Sequence, residues 1–291
     1  MDGNYEAGSE IFFEPPVRKN AKYYRATARK ILKGSFWKLL WMLVITVACA
    51  ALVGVLTYFA MQKMVFFSTS FLSLIAILLA VMAVATALLS LVMPAFAAIN
   101  RAQLRAIDGE AVRVSDLWRG LGVGFVRNAL TGLAVTAIAL VVSMIGVVGF
   151  LMMEAAALNA SPLVLLGVLL IASAVVLLVW ASIRLAFVFH VRAEYPELSV
   201  LDSIRNSVAL TKGNGKRVLG LSLSFVGWYA IAELVSLVTR GYGAVVLCPV
   251  MVYHMMALTH LYQDLAQRNK ADEVEFPSLD PDDYDPEEAQ W

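Results

Sequence analysis

Residues 37–61 read WKLLWMLVITVACAALVGVLTYFAM, a run in which Lys38 is the only charged side chain. A helix of about 20 apolar residues spans the hydrocarbon core of a bilayer, so we predict that this run crosses a membrane. A long basic segment precedes the run, and no small-residue cleavage site is obvious in it. These features predict a retained anchor and not a cleaved signal peptide.

Five further stretches of the same kind follow, at about 71–98, 129–153, 162–189, 218–238 and 244–265. They are rich in Ala, Val, Leu and Ile and show little of the alternation that is typical of strands in a membrane barrel. The sequence therefore predicts an all-α, polytopic membrane protein. Its single domain, residues 21–265, contains six transmembrane helices.

The basic residues are segregated along the chain. Of the 23 lysines and arginines, all except Lys63 and Arg240 lie before or at the first stretch, between the second and third, between the fourth and fifth, or after the sixth. Positively charged loops are retained in the cytoplasm. We therefore predict that both termini are cytoplasmic.

Three charged, amphipathic segments precede apolar stretches: AKYYRATARKILKGSFWKLL (21–40), VSDLWRGLGVGFVRNAL (114–130) and LSVLDSIRNSVALTKGNGKRVLGL (198–221). We predict that they form interfacial helices on the cytoplasmic side, in contact with the bilayer and its anionic headgroups. The alternative is that they are simple extensions of the spans. Their similarity suggests three repeated units, although basic flanks that arose independently would look the same.

The third segment carries a helix start signal. Ser199 and Asp202 form a capping box after Pro196, and Gly213 or Gly215 ends the helix. An apolar stripe on this helix is predicted to face the bundle or the lipid boundary, and it consists of Leu198, Leu201, Ile204 and Val208.

Both ends of the chain are acidic. Residues 1–20 and 266–291 are predicted to be disordered tails, because such compositions bury too little apolar surface to fold. Phe276, Tyr284 and Trp291 are spaced along the second tail. Two interpretations stay open for it: a solvated tail, or a docking segment for a membrane protein partner.

No catalytic motif was found. The sequence contains no Gly-x-Ser-x-Gly, His-Glu-x-x-His, phosphate loop or dinucleotide fingerprint, and its two cysteines, Cys49 and Cys248, lack metal-ligand spacing. The basic residues follow the membrane edge and not one soluble face, which argues against nucleic-acid binding. We predict a protein that is not an enzyme and has no cofactor or metal.

Three ionisable residues in or at the spans are candidates for binding, since such groups are costly there. His254 lies near the middle of the sixth span, Glu233 near the outer end of the fifth, and Arg184 near the cytoplasmic end of the fourth. His254 and Glu233 fit a proton or substrate path. The alternative is a packed histidine and a carboxylate among the outer headgroups.

The segments RAEYPELSVLDSIRNS (192–207), GNGKRVLGLSLSFVGW (213–228) and CPVMVYHMMALTHLYQDL (248–265) carry a family resemblance. Residues 192–265 resemble the carboxy-terminal half of the bacterial integral membrane family known as domain of unknown function nine hundred seventy-five. The resemblance implies a multi-pass protein of the bacterial cytoplasmic (inner) membrane without an assigned activity, and it supplies no catalytic residues.

Two functional hypotheses follow. The first is a non-enzymatic membrane module that assembles with envelope or transport proteins. The second is a small transporter or permease that uses His254 and Glu233.

Overall fold

The computed structural model describes residues 19–66, 71–157, 163–238 and 244–275. Over these ranges the chain forms eleven helices and no strand. The helices are α1 (Ala21–Phe66), α2 (Phe71–Ser90), α3 (Met93–Ile107), α4 (Ser115–Gly122), α5 (Phe125–Ala157), α6 (Leu163–Leu185), α7 (Val188–Glu194), α8 (Val200–Thr211), α9 (Gly215–Leu223), α10 (Val226–Val238) and α11 (Ala244–Glu275).

Several of these helices match the predicted spans. In the described part of the chain, five helical segments are long and apolar enough to cross a membrane: Ala21–Ala60, Ala80–Ile107, Phe125–Glu154, Leu163–Glu194 and Gly215–Val238. The all-helical class and the presence of several apolar helices are therefore confirmed. The sixth predicted span, 244–265, is helical within α11 but is not among the five segments.

The predicted tails fall mostly on residues 1–18 and 276–291, which lie outside the described residues. Helix α11 continues past residue 265, where the second tail was predicted to begin, as far as Glu275.

Three of the predicted spans contain a short break. The second divides into α2 and α3 at Leu91 and Val92, directly before the first turn of α3, which contains Pro94. Proline fits a first turn because it lacks the N–H that would go unpaired there. The fourth predicted span divides between α6 and α7, and the fifth divides between α9 and α10.

Helix α8 stabilises the break between α6 and α7 through the Ser207 side chain. The Ser207 hydroxyl donates a hydrogen bond to the Arg184 carbonyl (2.8 Å) and accepts one from the Phe187 N–H (3.2 Å). It therefore satisfies backbone groups that the interrupted helix leaves open. At the start of α8, the Ser199 hydroxyl accepts a hydrogen bond from the Asp202 N–H at 3.1 Å.

This use of Ser207 determines which face of α8 meets the bundle. Ser203, Ser207 and Leu210 are buried, whereas Leu201 is 55% exposed and Val208 is also exposed. Leu201 and Val208, two members of the predicted apolar stripe, thus point away from the bundle. The face toward the bundle carries Ser207, whose hydroxyl bonds to the backbone between α6 and α7.

The three amphipathic segments adopt different structures. The first continues without a break through Gly34 into the apolar part of α1. The second and third form the separate helices α4 and α8, and each is followed by a turn with a glycine at positive φ: Gly124 at +63° and Gly213 at +77°.

A buried apolar core joins several helices. Its side chains come from residues 24–43 of α1 and from α3, α4, α7, α8, α9 and α11. We call this region the head. Much of the surface of α5, α6 and α10 beyond the head consists of exposed valine, leucine and isoleucine.

Helix α11 lies alongside the charged first part of α1. The Tyr24 and His260 rings are 5.6 Å apart, and the Tyr253 hydroxyl donates to the Arg25 carbonyl at 2.9 Å. These contacts involve residues that precede the apolar run 37–61.

Helices α5 and α6 approach each other closely at two glycines. A Cβ atom on Gly149 would lie 2.7 Å from the Gly167 carbonyl oxygen, and one on Gly167 would lie 2.6 Å from the Gly149 carbonyl oxygen. Both distances are shorter than a carbon–oxygen contact, so glycine is required at both positions.

Candidate functional site: the polar cluster of the head

His254 is a packed residue between α10 and α11. Its Nδ1 atom is 2.9 Å from the Tyr229 hydroxyl, and its ring stacks on Phe225 with centroids 4.6 Å apart. Its Nε2 atom is buried and has no hydrogen-bond partner among the described residues. The side chain thus contributes to the contact between two helices.

Glu233 and Arg184 lie in different surroundings. Glu233 is on the exposed face of α10. The Arg184 guanidinium, near the end of α6, lies over the Trp180 ring at 5.7 Å. Within the described ranges, no hydrogen bond, ion pair or ring contact joins His254, Glu233 and Arg184 to one another, so the structure does not bring the three candidates together.

The head contains a cluster of charged residues centred on Asp264, whose side chain is 8% exposed. One carboxylate oxygen is 3.0 Å from Lys19 Nζ. The other accepts a hydrogen bond from the Tyr24 hydroxyl (2.7 Å) and lies 3.2 Å from Arg217 and 3.4 Å from Arg268. Arg217 also donates to the Tyr24 hydroxyl at 2.9 Å. A single carboxylate therefore joins three cations from both ends of the described chain and from α9.

A second polar chain crosses the head between α3, α7 and α11. The Thr259 hydroxyl donates to Gln103 Oε1 at 2.7 Å and lies 3.0 Å from His190 Nε2. All three side chains are buried. Close to them, the Tyr262 hydroxyl donates to the Glu194 carboxylate at 2.6 Å. These bonds fix the position of α11 against α3 and α7.

Arg192 of α7 is fully buried. Its Nε atom donates to Asn128 Oδ1 at 2.8 Å, and its Nη1 atom donates to the Leu198 carbonyl. Nearby, Arg101 Nε donates to the Ala193 carbonyl at 3.0 Å. A buried charge is costly unless it is hydrogen-bonded, so these amide and carbonyl oxygens are what allow a guanidinium at this position.

A further ion pair connects α3 to α4. Arg105 lies 2.9 Å from Asp116, which is buried and also accepts a hydrogen bond from the Arg113 N–H at 2.7 Å. Within the described ranges, no group of three or more His, Cys, Asp or Glu side chains is placed to hold a metal ion. The polar side chains of the head are engaged mainly in contacts between helices.

Asp264, Arg192 and Gln103 were not among the candidate residues predicted from the sequence. Asp264 and Tyr262 do stand in the YQDL sequence that ends the family resemblance, which was the available signal. Arg192 and Arg217 were interpreted as topology signals, and nothing in their local sequence distinguishes them from exposed basic residues.

Comparisons with protein-family models, with curated proteins and with solved structures found no match to this chain. The resemblance of residues 192–265 to a bacterial membrane family therefore stays a prediction.

Proposed function

We propose that the chain is a six-pass protein of the bacterial cytoplasmic membrane, with both termini in the cytoplasm. In this proposal it acts as a non-enzymatic module that assembles with envelope or transport proteins. The observation that carries the proposal is the Asp264 cluster, which joins the start of α1 to α11.

The contacts of the head support this topology. Lys19 precedes the first apolar helix, Asp264 lies at the end of the sixth predicted span (244–265), and their charged atoms are 3.0 Å apart. Two groups in contact lie on the same side of a membrane. Five apolar segments alone would place them on opposite sides, so the contact favours an even number of crossings, and we propose α11 as the sixth.

Contacts between the predicted cytoplasmic segments support the same arrangement. Arg101, after the second predicted span, bonds to the Ala193 carbonyl, after the fourth. Arg217, before the fifth, pairs with Asp264. All four predicted cytoplasmic segments thus meet in one head, which fits the distribution of basic residues.

Cysteine labelling tests the number of crossings. In a background with Cys49→Ala and Cys248→Ala, single cysteines at Ser70, Asn159 and Thr239, which lie outside the described residues, are expected to react with an impermeant maleimide in intact cells. Cysteines at Glu110 and Lys212, which are exposed in the head, should react only after permeabilisation.

Thr239 is the decisive position. If its cysteine reacts only after permeabilisation while Ser70 and Asn159 react from outside, α10 and α11 do not cross. The chain would then have four crossings, and the six-pass proposal would be wrong.

The engagement of the polar side chains in the head supports a module more than a transporter. His254, the best transport candidate, has its Nδ1 atom bonded to Tyr229 and its ring stacked on Phe225. A packed side chain of this kind positions a helix, whereas a relay group needs a path to water. The predicted acidic tail at 266–291 offers a docking segment for a membrane protein partner.

The assembly hypothesis is tested by purification from native membranes in mild detergent, with the mass of the particle measured by light scattering. We expect a complex of fixed stoichiometry that is larger than one 31.7 kDa chain, and that dissociates when residues 276–291 are deleted. The transporter hypothesis would be favoured by two results together. The chain would purify without partners, and His254→Asn would abolish pH-dependent uptake into vesicles that contain the protein.

A further inference from the structure

A groove of about 420 Å³ lies where α1 and α10 both border α11. Its volume falls within the range of about 300–1,000 Å³ that is typical of small-molecule sites. The groove is lined by Arg29, Leu32, Lys33 and Phe36 of α1, Trp228 of α10, and Pro249, Val250 and Tyr253 of α11.

The groove has a charged end and an apolar end. Arg29 and Lys33 are exposed and lie one turn apart on α1. Phe36 follows them in the direction of the apolar run 37–61, opposite Pro249 and Val250 of α11. The charge therefore lies on the side of the predicted headgroups, and the apolar lining lies on the side of the hydrocarbon.

The positive charge of the groove is not neutralised by the protein. In the described part of the chain, no acidic side chain pairs with Arg29 or Lys33, and the groove lining contains no acid. The Arg29 guanidinium lies 6.0 Å from the centre of the Tyr253 ring. The Tyr253 hydroxyl is held by the Arg25 carbonyl, so this wall of the groove is fixed.

We infer that this groove holds one anionic phospholipid, with its phosphate between Arg29 and Lys33 and an acyl chain against Phe36, Trp228 and Val250. Basic pockets between membrane helices on the cytoplasmic side are suited to anionic headgroups. An amphiphile matches both ends of the groove, whereas a free anion would use only one. The inference rests on the proposed membrane location but does not depend on the number of crossings.

Native mass spectrometry of the full chain in a non-ionic detergent tests the headgroup contact. The probes are phosphatidylglycerol and phosphatidylcholine with identical acyl chains. We expect wild-type protein to bind phosphatidylglycerol more tightly. The double variant Arg29→Gln/Lys33→Gln should lose about tenfold to thirtyfold in affinity, since each basic residue contributes about 1 kcal/mol at an anionic surface and 1.4 kcal/mol is tenfold.

The matched control is Lys30→Gln/Lys38→Gln, which removes the same charge from exposed positions of the same helix outside the groove. It should keep nearly wild-type affinity for phosphatidylglycerol. All four side chains are exposed, and unchanged thermal unfolding confirms that both variants fold. Equal losses in the two double variants would mean general surface attraction and would overturn the inference.

Two further measurements test the acyl chain. Val250→Trp, which narrows the groove without changing its charge, should weaken phosphatidylglycerol binding. Inorganic phosphate at millimolar concentration should fail to displace the lipid, and full displacement would show an anion site only. If no lipid were retained by any variant, the membrane location itself would be in doubt, whereas retention without headgroup selectivity would contradict the groove alone.

Discussion

Arg217 and Arg205 are two basic residues from the same segment in different surroundings. Arg217 is 20% exposed, donates to Tyr24 and pairs with Asp264. Arg205 is 70% exposed and faces Asp202 at 3.9 Å. Hydrogen bonds to charged groups contribute more when they are shielded from water, so the two arginines should differ in their effect on stability.

We therefore expect Arg217→Gln to lower the free energy of unfolding by about 1.5–3 kcal/mol. Arg205→Gln, the same substitution at an exposed pair, should cost about 0–1 kcal/mol. Thermal unfolding of both purified variants in detergent measures the difference. Similar melting temperatures would show that the Asp264 cluster does not stabilise the head.

At this scale the sequence predicted little of the site. His254 was selected because a histidine within an apolar run is unusual, yet the structure engages it with Phe225 and Tyr229. The Asp264 cluster was missed because its members are far apart in the sequence: Lys19 and Asp264 are separated by 245 positions. The local sequence of a basic residue near a membrane edge does not show whether the side chain pairs with a distant carboxylate or is hydrated.

The helices themselves were predicted more completely, because an apolar run of fixed length depends only on local composition. Their breaks depend on distant residues. Ser207 supplies hydrogen bonds to the break between α6 and α7 from another helix. For the same reason, the buried face of α8 was not evident. Its apolar stripe is clear in the sequence, but the hydrogen bonds of Ser207 to the break between α6 and α7 are not.

The α5–α6 contact gives a prediction at the level of the helix pair. Gly167→Ala should force the two helices apart, because its Cβ would lie 2.6 Å from the Gly149 carbonyl oxygen. We expect a cost of about 1–3 kcal/mol, as for overpacking in other well-packed interiors.

The control is Gly54→Ala in α1, where a Cβ meets no atom within 4 Å. Alanine has a higher helix propensity than glycine, so this variant should keep or raise the unfolding temperature in detergent. A loss of stability in Gly54→Ala as large as in Gly167→Ala would indicate a general effect of glycine replacement, and the close contact would not explain it.

At the scale of the whole molecule, the head combines an apolar core with buried polar clusters, whereas α5, α6 and α10 expose much of their apolar surface. Helix α11 contributes to the Asp264 cluster, to the Thr259 chain and to the Tyr262–Glu194 bond. The head should therefore tolerate loss of the chain beyond α11 but not loss of α11.

Two truncations test this dependence. A chain that ends at residue 275 should accumulate in membranes as the full chain does. A chain that ends at residue 243 should be degraded, because Lys19 and Arg217 lose Asp264, and the α1 core residues lose their neighbours on α11. Immunoblotting of an N-terminal tag compares the two, and equal accumulation would contradict a central role for α11.

The hydrogen bond between Tyr24 and Asp264 also has a consequence for biosynthesis. Its two residues are 240 positions apart, and at about 5–20 residues per second a ribosome needs about 10–50 seconds to proceed from one to the other. During that interval most of the apolar helices are synthesised, while the inner face of α1 still lacks its partner. That face can pack fully only after translation delivers α11. A ribosome that stalls near the end of the message would therefore leave the beginning of the protein without its packing partner.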